Sequence, residues 1–151
     1  MLRRKFDVVT IGGATRDIMF YTSDGVLVPN TQNKLKEKLL GFEYGAKIIP
    51  ESLHQVLGGG ATNAAVSFAR LGLRVGAFVR LGRDRDGDAI EAELRKAGVK
   101  TRFIERDSSV RTGFSFFAIH SPTKEHVAFL HRGANDNMRM SREELRQART
   151  Q

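Results

Sequence analysis

The chain has 151 residues, 40% of them hydrophobic and 28% charged, which suits one globular domain with its own core and excludes the low-hydrophobicity composition of disorder. It has no cysteine, which rules out a disulfide framework or a thiolate metal site and suits a cytoplasmic setting. Twenty-five basic residues against 17 acidic ones give a formal charge of +8. The basic residues are scattered among acids, as in GRDRDGDAIEAELRKAG at 82–98, so a solvated surface suited to anionic substrates is the plainer reading and a basic nucleic-acid-binding domain the lesser alternative.

The basic start, MLRRK, leads into only a short apolar run, and no stretch approaches the roughly 18 apolar residues of a membrane span. No targeting signal and no membrane partner are expected. The run FDVVTI at 6–11 is β-branched and stops at Gly12 and Gly13, so it reads as a buried strand followed by a tight turn. From Met19 to about Val56 the pattern breaks into MFY, GVLVPN and YGAKII around the charged NKLKEKLLG, which suits a helical turn or a loop. This segment is expected as an excursion from the main sheet.

Ala61–Leu71 carries small and apolar residues at 61, 65, 68 and 69 and is closed by Gly72, as a helix would be. Val75–Leu81 reads as a strand, and Asp86–Ala97 as a helix with Ile90, Leu94 and Ala97 on one face, closed by Gly98. Strand and helix in alternation imply an α/β layer with right-handed connections. Three strands are then expected, at Thr101–Glu105, Thr112–His120 and His126–His131, the last two joined by SPTKE as a hairpin or meander. Ser141–Glu144 matches a capping box that opens a short final helix. His120, His126 and His131 fall on or beside these strands without a carboxylate at metal-ligand spacing, so ordinary sheet positions are expected and no metal site.

The three glycines of LGGGATNAAVSFARLG at 57–72 directly precede the first helix. A Walker loop would need Lys followed by Ser or Thr, and the dinucleotide fingerprint would need a third glycine where Asn63 stands. What remains is backbone that a ligand can approach closely, helix-terminal donors, and an Asn that both donates and accepts, which suits a polyhydroxylated molecule. Equally open is a purely structural reading, in which Gly58–Gly60 is a flexible turn and Thr62 or Asn63 a cap.

GGGATNAAVSFARLG closely resembles the first signature of the ribokinase-like (PfkB-type) carbohydrate kinases. IGGATRD at 11–17, LGRDRDGDAIEAELRKAGV at 81–99, and VRTGFSFFAIH followed by FLHRGAND at 110–136 resemble the family's next segments in order. The resemblance implies a doubly wound, Rossmann-like sheet bearing a small β-sheet lid, with lid elements at about 19–56 and within 101–131. It implies transfer of the γ-phosphoryl group of ATP, with Mg2+, to a hydroxymethyl group of a sugar, sugar phosphate or nucleoside. Asp17 matches the aspartate that binds substrate hydroxyls, and Thr15 stands where many sugar kinases have Asn. Gly58 and Gly59 match the di-glycine that hinges the lid and faces the sugar, Gly60 stands where ribokinase-type members often have Lys, and Asn63 matches the sugar-binding asparagine. Asp84 and Gly87 match a turn read as structural. Arg132-Gly-Ala-Asn135 resembles the segment leaving the lid sheet, where Arg132 is a candidate to meet a sugar phosphate, with a solvated surface charge as its plain single-residue reading.

The family's second signature, D-T-x-G-A-G-D, supplies the general base and the γ-phosphoryl anion hole. Neither it nor the N-x-x-E magnesium motif occurs in these 151 residues. The resemblance therefore implies the N-terminal, substrate-binding half of a longer kinase, without the C-terminal ATP-binding half and inactive alone, with no catalytic base, cofactor-binding or metal-binding residue in the chain. Another class of reading is a binding module that forms a homodimer through the lid sheet, with Phe114, Phe116 and Ala118 as its surface.

Overall fold

A computed structural model describes residues 6–33, 35 and 37–148. In chain order its elements are β1 (Val8–Ile11), β2 (Thr15–Thr22), β3 (Val26–Pro29), β4 (Lys38–Gly41), β5 (Ser52–Gly58), α1 (Gly60–Arg70), β6 (Val75–Gly82), α2 (Arg85–Lys96), β7 (Ile104–Asp107), β8 (Gly113–His120), β9 (His126–His131), a 3-10 turn at Gly133–Asn137 and α3 (Arg142–Ala148). The chain forms two compact units: one of residues up to Asp17, Val56–Ser115 and Leu130 onward, the other of Ile18–Gln55 and Phe116–Phe129.

The first unit is built on a parallel sheet of order β1-β6-β7, with Val8 opposite Val75 and Val79 opposite Ile104. Both crossovers step in the same direction, so right-handed connections put α1 and α2 on one face. The period of two along β6 sends Val75, Ala77, Val79 and Leu81 to that face, where they meet Ala61 and Ala65 of α1 and Ile90 and Leu94 of α2. Ile90 and Leu94 are fully buried, and each contributes on the order of 1.5–3 kcal/mol of hydrophobic stabilisation. Phe78 points to the other face, where it clusters with Phe6 and Phe103 under Met138, Met140 and Ala148. The Arg102 guanidinium lies over both the Phe6 and Phe103 rings, 4.7 and 4.5 Å from their centroids.

Helix ends follow the capping rules. The Asp84 side chain accepts from the Gly87 N–H at 2.8 Å and starts α2. Ser141 and Glu144 form the expected reciprocal box, with the Ser141 N–H donating to Glu144 at 2.7 Å and the Glu144 N–H donating to the Ser141 hydroxyl at 3.1 Å.

The second unit holds the antiparallel β3–β4 pair, with Leu27 opposite Leu40 and Val28 opposite Leu39. Strands β5, β2, β8 and β9 hydrogen-bond in that order, and Phe20, Phe116 and Phe129 form a row across three of them, with centroids 5.7 and 6.1 Å apart. The β8–β9 hairpin closes through His120 N–H to Glu125 C=O at 2.9 Å and Lys124 N–H to His120 C=O at 2.8 Å. The His120 ring nitrogen meets the Thr123 hydroxyl at 2.8 Å.

Three local expectations change. The KLLG end of the charged segment is strand β4, neither helical turn nor loop, because Leu39 and Leu40 find apolar partners across the pair; positions 34 and 36 of that segment, like MLRRK, lie outside the described residues. The strand expected at 101–105 runs instead over Ile104–Asp107 and joins the parallel sheet, where Arg80 of β6 pairs with both Glu105 and Asp107 at 3.0 Å. Phe114 is exposed but Ala118 is buried, and β8 is an interior strand. The edges of this order are β5 and β9, and in β9 all six residues are exposed.

Candidate functional site

The site is built where β1 gives way to β2. After β1 the chain turns through Gly12, at φ +146, and buried Ala14 into Thr15–Asp17. Alternation along β2 puts Thr15 and Asp17 on one face and Arg16 on the other. Arg16 donates to Glu93 of α2 at 2.6 Å, which ties the start of the strand to that helix. The Thr15 hydroxyl donates to Asp17 Oδ1 at 2.8 Å. Oδ2 and the remaining capacity of Oδ1 are left to accept hydroxyl donors from a ligand.

The glycine run supplies the opposite wall. A Cβ on buried Gly58 would fall inside the Asp17 carboxylate, so the carboxylate rests directly on the Gly58 backbone. Gly59 has φ +98, a conformation that favours glycine, and a Cβ there would collide with the Gly13 carbonyl and stand 2.7 Å from Ala14 Cα. Gly13 also accepts from the Ala61 N–H at 3.2 Å. Fully buried Thr62 donates its hydroxyl to the Gly58 carbonyl and to the Gly59 carbonyl, the latter at 2.9 Å. The α1 start is thereby locked to the turn before β2. Gly60 differs from its neighbours, with open space where a Cβ would stand.

The structure thus gathers Thr15, Asp17, Gly58 and Gly59. Asn63 is exposed on α1 and lines a depression of about 950 Å3 with Val56, Leu57, Glu93 and Lys96, a lining that does not include Asp17. Arg132 is 77% exposed and pairs with Asp136 at 3.8 Å, a surface pair of small energetic weight. Sequence reading passed over Asn135, whose side chain spans from the turn after β9 to Ala14: Oδ1 accepts from the Ala14 N–H at 2.9 Å, and Nδ2 donates to the Ala14 and Arg132 carbonyls at 3.0 and 2.8 Å. The signal was present in RGAND, but nothing local shows that its asparagine reaches back 121 residues.

A half-buried and a buried carboxylate, Asp84 and Asp107, brace this frame. Asp84 accepts from the Thr112 N–H and hydroxyl at 2.8 and 2.7 Å as well as from Gly87. Burial alone would push its pKa up, but the Thr112 and Gly87 hydrogen bonds outweigh it and hold the carboxyl below its usual range. Asp107 accepts from the Asn137 amide at 3.0 Å, from Ser109 at 2.7 and 2.8 Å and from Arg80 at 3.0 Å. These partners, the Asn137 and Ser109 bonds foremost, hold its carboxyl far below the usual carboxylate range.

The glycine turn suits hydroxyls rather than a phosphate. Among the described residues no three His, Asp or Glu side chains cluster to hold a metal ion. The glycine turn is backed by the Asp17 carboxylate, which repels a phosphate where it attracts hydroxyls. No helix of the described chain is long and apolar enough to cross a membrane.

Over 120 residues the chain is 28% identical to the 5-dehydro-2-deoxygluconokinase of Listeria monocytogenes serotype 4a (strain HCC23), covering 79% of this chain and 31% of that protein. Over 94 residues it is 31% identical to the ribokinase of Bacillus subtilis (strain 168), covering 62% of this chain and 31% of that one. The chain spans about a third of the length of these curated relatives. Among solved structures, the Arabidopsis thaliana ribokinase complexed with ribose and ATP aligns with a TM-score of 0.70 at 24% identity, over 91% of this chain and 40% of that one. The Halothermothrix orenii fructokinase aligns with a TM-score of 0.66 at 21% identity, over 89% and 41%. Such likeness shows a ribokinase-like α/β fold. Residues 26–151 match the model of the pfkB family carbohydrate kinases, and the chain belongs to that family.

Proposed function

We propose that this chain is the sugar-binding portion of an ATP-dependent carbohydrate kinase, whose acceptor is the hydroxymethyl group of a sugar, sugar phosphate or nucleoside. The observation that carries the reading is the Asp17 carboxylate laid against Gly58 and oriented by Thr15. A carboxylate accepts from two neighbouring hydroxyls at once, and charge-assisted bonds of this kind are worth roughly 1.5–3 kcal/mol each. Gly58 makes room for the Asp17 carboxylate and Gly59 for the turn before β2, and Arg132 receives the phosphate of a phosphorylated sugar. The second unit serves as the lid.

Asp17 and Thr15 bind and orient the acceptor. ATP is the phosphoryl donor of the whole kinase, and the transfer step is assigned to none of the described residues. The 151-residue chain is expected to bind sugar and not to phosphorylate it. Saturation-transfer NMR with D-ribose, D-fructose, 5-dehydro-2-deoxy-D-gluconate and adenosine tests the first half, and a signal from none of them contradicts it. ATP-dependent phosphorylation of any of these by the purified chain overturns the second half.

A second reading, self-association through the sheet, is favoured by the edge strand β9, where Val127, Phe129 and Leu130 are 40%, 60% and 69% exposed. Unpaired edges of this kind template strand pairing. Light scattering should then show a dimer that Phe129→Lys converts to monomer, and a wild-type monomer at about 100 μM, where an association of about −5.5 kcal/mol would be half complete, removes this reading.

A further inference from the structure

We infer that Asn135 is a positioning residue for the acceptor site: it holds the turn from which Asp17 projects. The inference rests on the proposed role of Asp17 and adds a residue with no ligand contact of its own. Pairing of β1 with the sheet ends with the Gly12 N–H on the Phe78 carbonyl at 3.2 Å, and the next hydrogen bond in the turn is Ala61 on Gly13. Ala14 is fully buried, and both its backbone polar groups are satisfied by one side chain, that of Asn135. The amide imitates a neighbouring strand, accepting from the N–H and donating to the C=O of the same residue. Its second amide proton goes to the Arg132 carbonyl, which ties the turn after β9 to the start of β2.

The surroundings are cut to this amide. A Cβ on Gly113 would collide with Nδ2, and the Ala134 N–H anchors the turn to the Arg111 carbonyl at 2.8 Å. The partners also fix which amide atom is oxygen, since an N–H and two carbonyls can be served in only one orientation. Asp17 stands three residues beyond Ala14, and Gly59 presses on Gly13 and Ala14 from the other side. Any shift of Ala14 therefore moves Asp17 relative to Gly58, at a site where misplacement by about 1 Å is costly.

Asn135→Asp keeps the shape and replaces a donor by an acceptor that faces two carbonyls. The test measures the dissociation constant of whichever probe sugar binds the wild-type chain, at a temperature where all variants are folded, beside Ser109→Ala, which removes a hydrogen bond to Asp107 within the same unit, as a control. The inference predicts a rise of at least tenfold for Asn135→Asp and less than twofold for Ser109→Ala. Unchanged binding in Asn135→Asp, or an equal loss in both, overturns the positioning role while leaving the sugar site standing. Absence of wild-type binding overturns the site itself and the inference with it. Should Asn135→Asp not fold, hydrogen exchange on the wild-type chain decides: Ala14 N–H protected at least 100-fold supports the clamp, and exchange at the unprotected rate refutes it.

Discussion

Substituting alanine in turn at Gly58, Gly59 and Gly60 separates a ligand wall from a structural lock and from a spacer. At Gly58 the new methyl enters the space of the Asp17 carboxylate, all three of whose atoms would lie closer than the 3.0 Å that real Cβ atoms keep. The carboxylate is the end of a side chain and yields by on the order of 1 Å, so the fold survives, at about 1–3 kcal/mol of overpacking. The bonds that Asp17 makes to hydroxyls are lost with that movement. Loss of one charge-assisted bond of roughly 1.5–3 kcal/mol weakens sugar binding by about tenfold to 100-fold. At Gly59 the obstacles are the Gly13 carbonyl and Ala14 Cα, and φ is +98, so neither the backbone nor the conformation yields and the unit itself is destabilised more than in Gly58→Ala. At Gly60 nothing lies within 4 Å, and alanine at the first position of α1 is neutral or stabilising by up to about 1 kcal/mol. Thermal unfolding and calorimetric sugar titration of the three variants together decide the matter. Wild-type sugar affinity in Gly58→Ala, or Gly60→Ala as damaging as Gly58→Ala, refutes the reasoning.

Thr62→Val keeps the volume of a fully buried side chain but removes the hydroxyl that serves the Gly58 and Gly59 carbonyls. A loss of about 1–3 kcal/mol is expected in denaturant unfolding, and a loss below about 0.5 kcal/mol would show that these carbonyls find other donors. Acid stability follows from Asp107, whose folded pKa is depressed by Asn137, Ser109 and Arg80. Because the unfolded chain binds the proton more readily, the stability from this group is fully present above the unfolded pKa of about 3.9 and is lost as pH falls below it toward the folded value. Asp84 and Glu91 are depressed as well and act in the same direction. The unfolding midpoint should therefore be flat above about pH 5 and fall below pH 4, less steeply in Asp107→Asn, and an identical slope in that variant contradicts the assignment.

The parallel layer was legible because its signals are local. Ile90, Leu94 and Ala97 repeat at helical spacing, Gly72 and Gly98 stop two helices, and the strand of β6 is an apolar run buried on both faces. β4 was not legible, since Lys38 to Gly41 reads as charged and becomes a strand only through Val28 and Leu27 across the pair. β7 was misplaced by three residues because the ion pairs of Glu105 and Asp107 with Arg80 are contacts across the sheet. Within the candidate site, the glycine run and Asp17 were visible as residues and motif spacing, whereas their mutual contact was not. Asn135 escaped for the same reason: its meaning lies in Ala14, far away in sequence. Asn63 sat in the same motif as Gly58 and Gly59, but the helical turn between them carries it to a separate depression.

The central claim is that the Asp17 carboxylate binds the hydroxyls of a sugar-like acceptor. Calorimetric titration of D-ribose, D-fructose and 5-dehydro-2-deoxy-D-gluconate into the wild-type chain and into Asp17→Asn tests it most directly. At least one sugar should bind the wild type and bind the variant at least tenfold more weakly, with unfolding temperatures within about 3 °C, the shift expected from roughly 1 kcal/mol in a domain of this size. Equal affinity in the two proteins, or no binding by the wild type, would contradict the account.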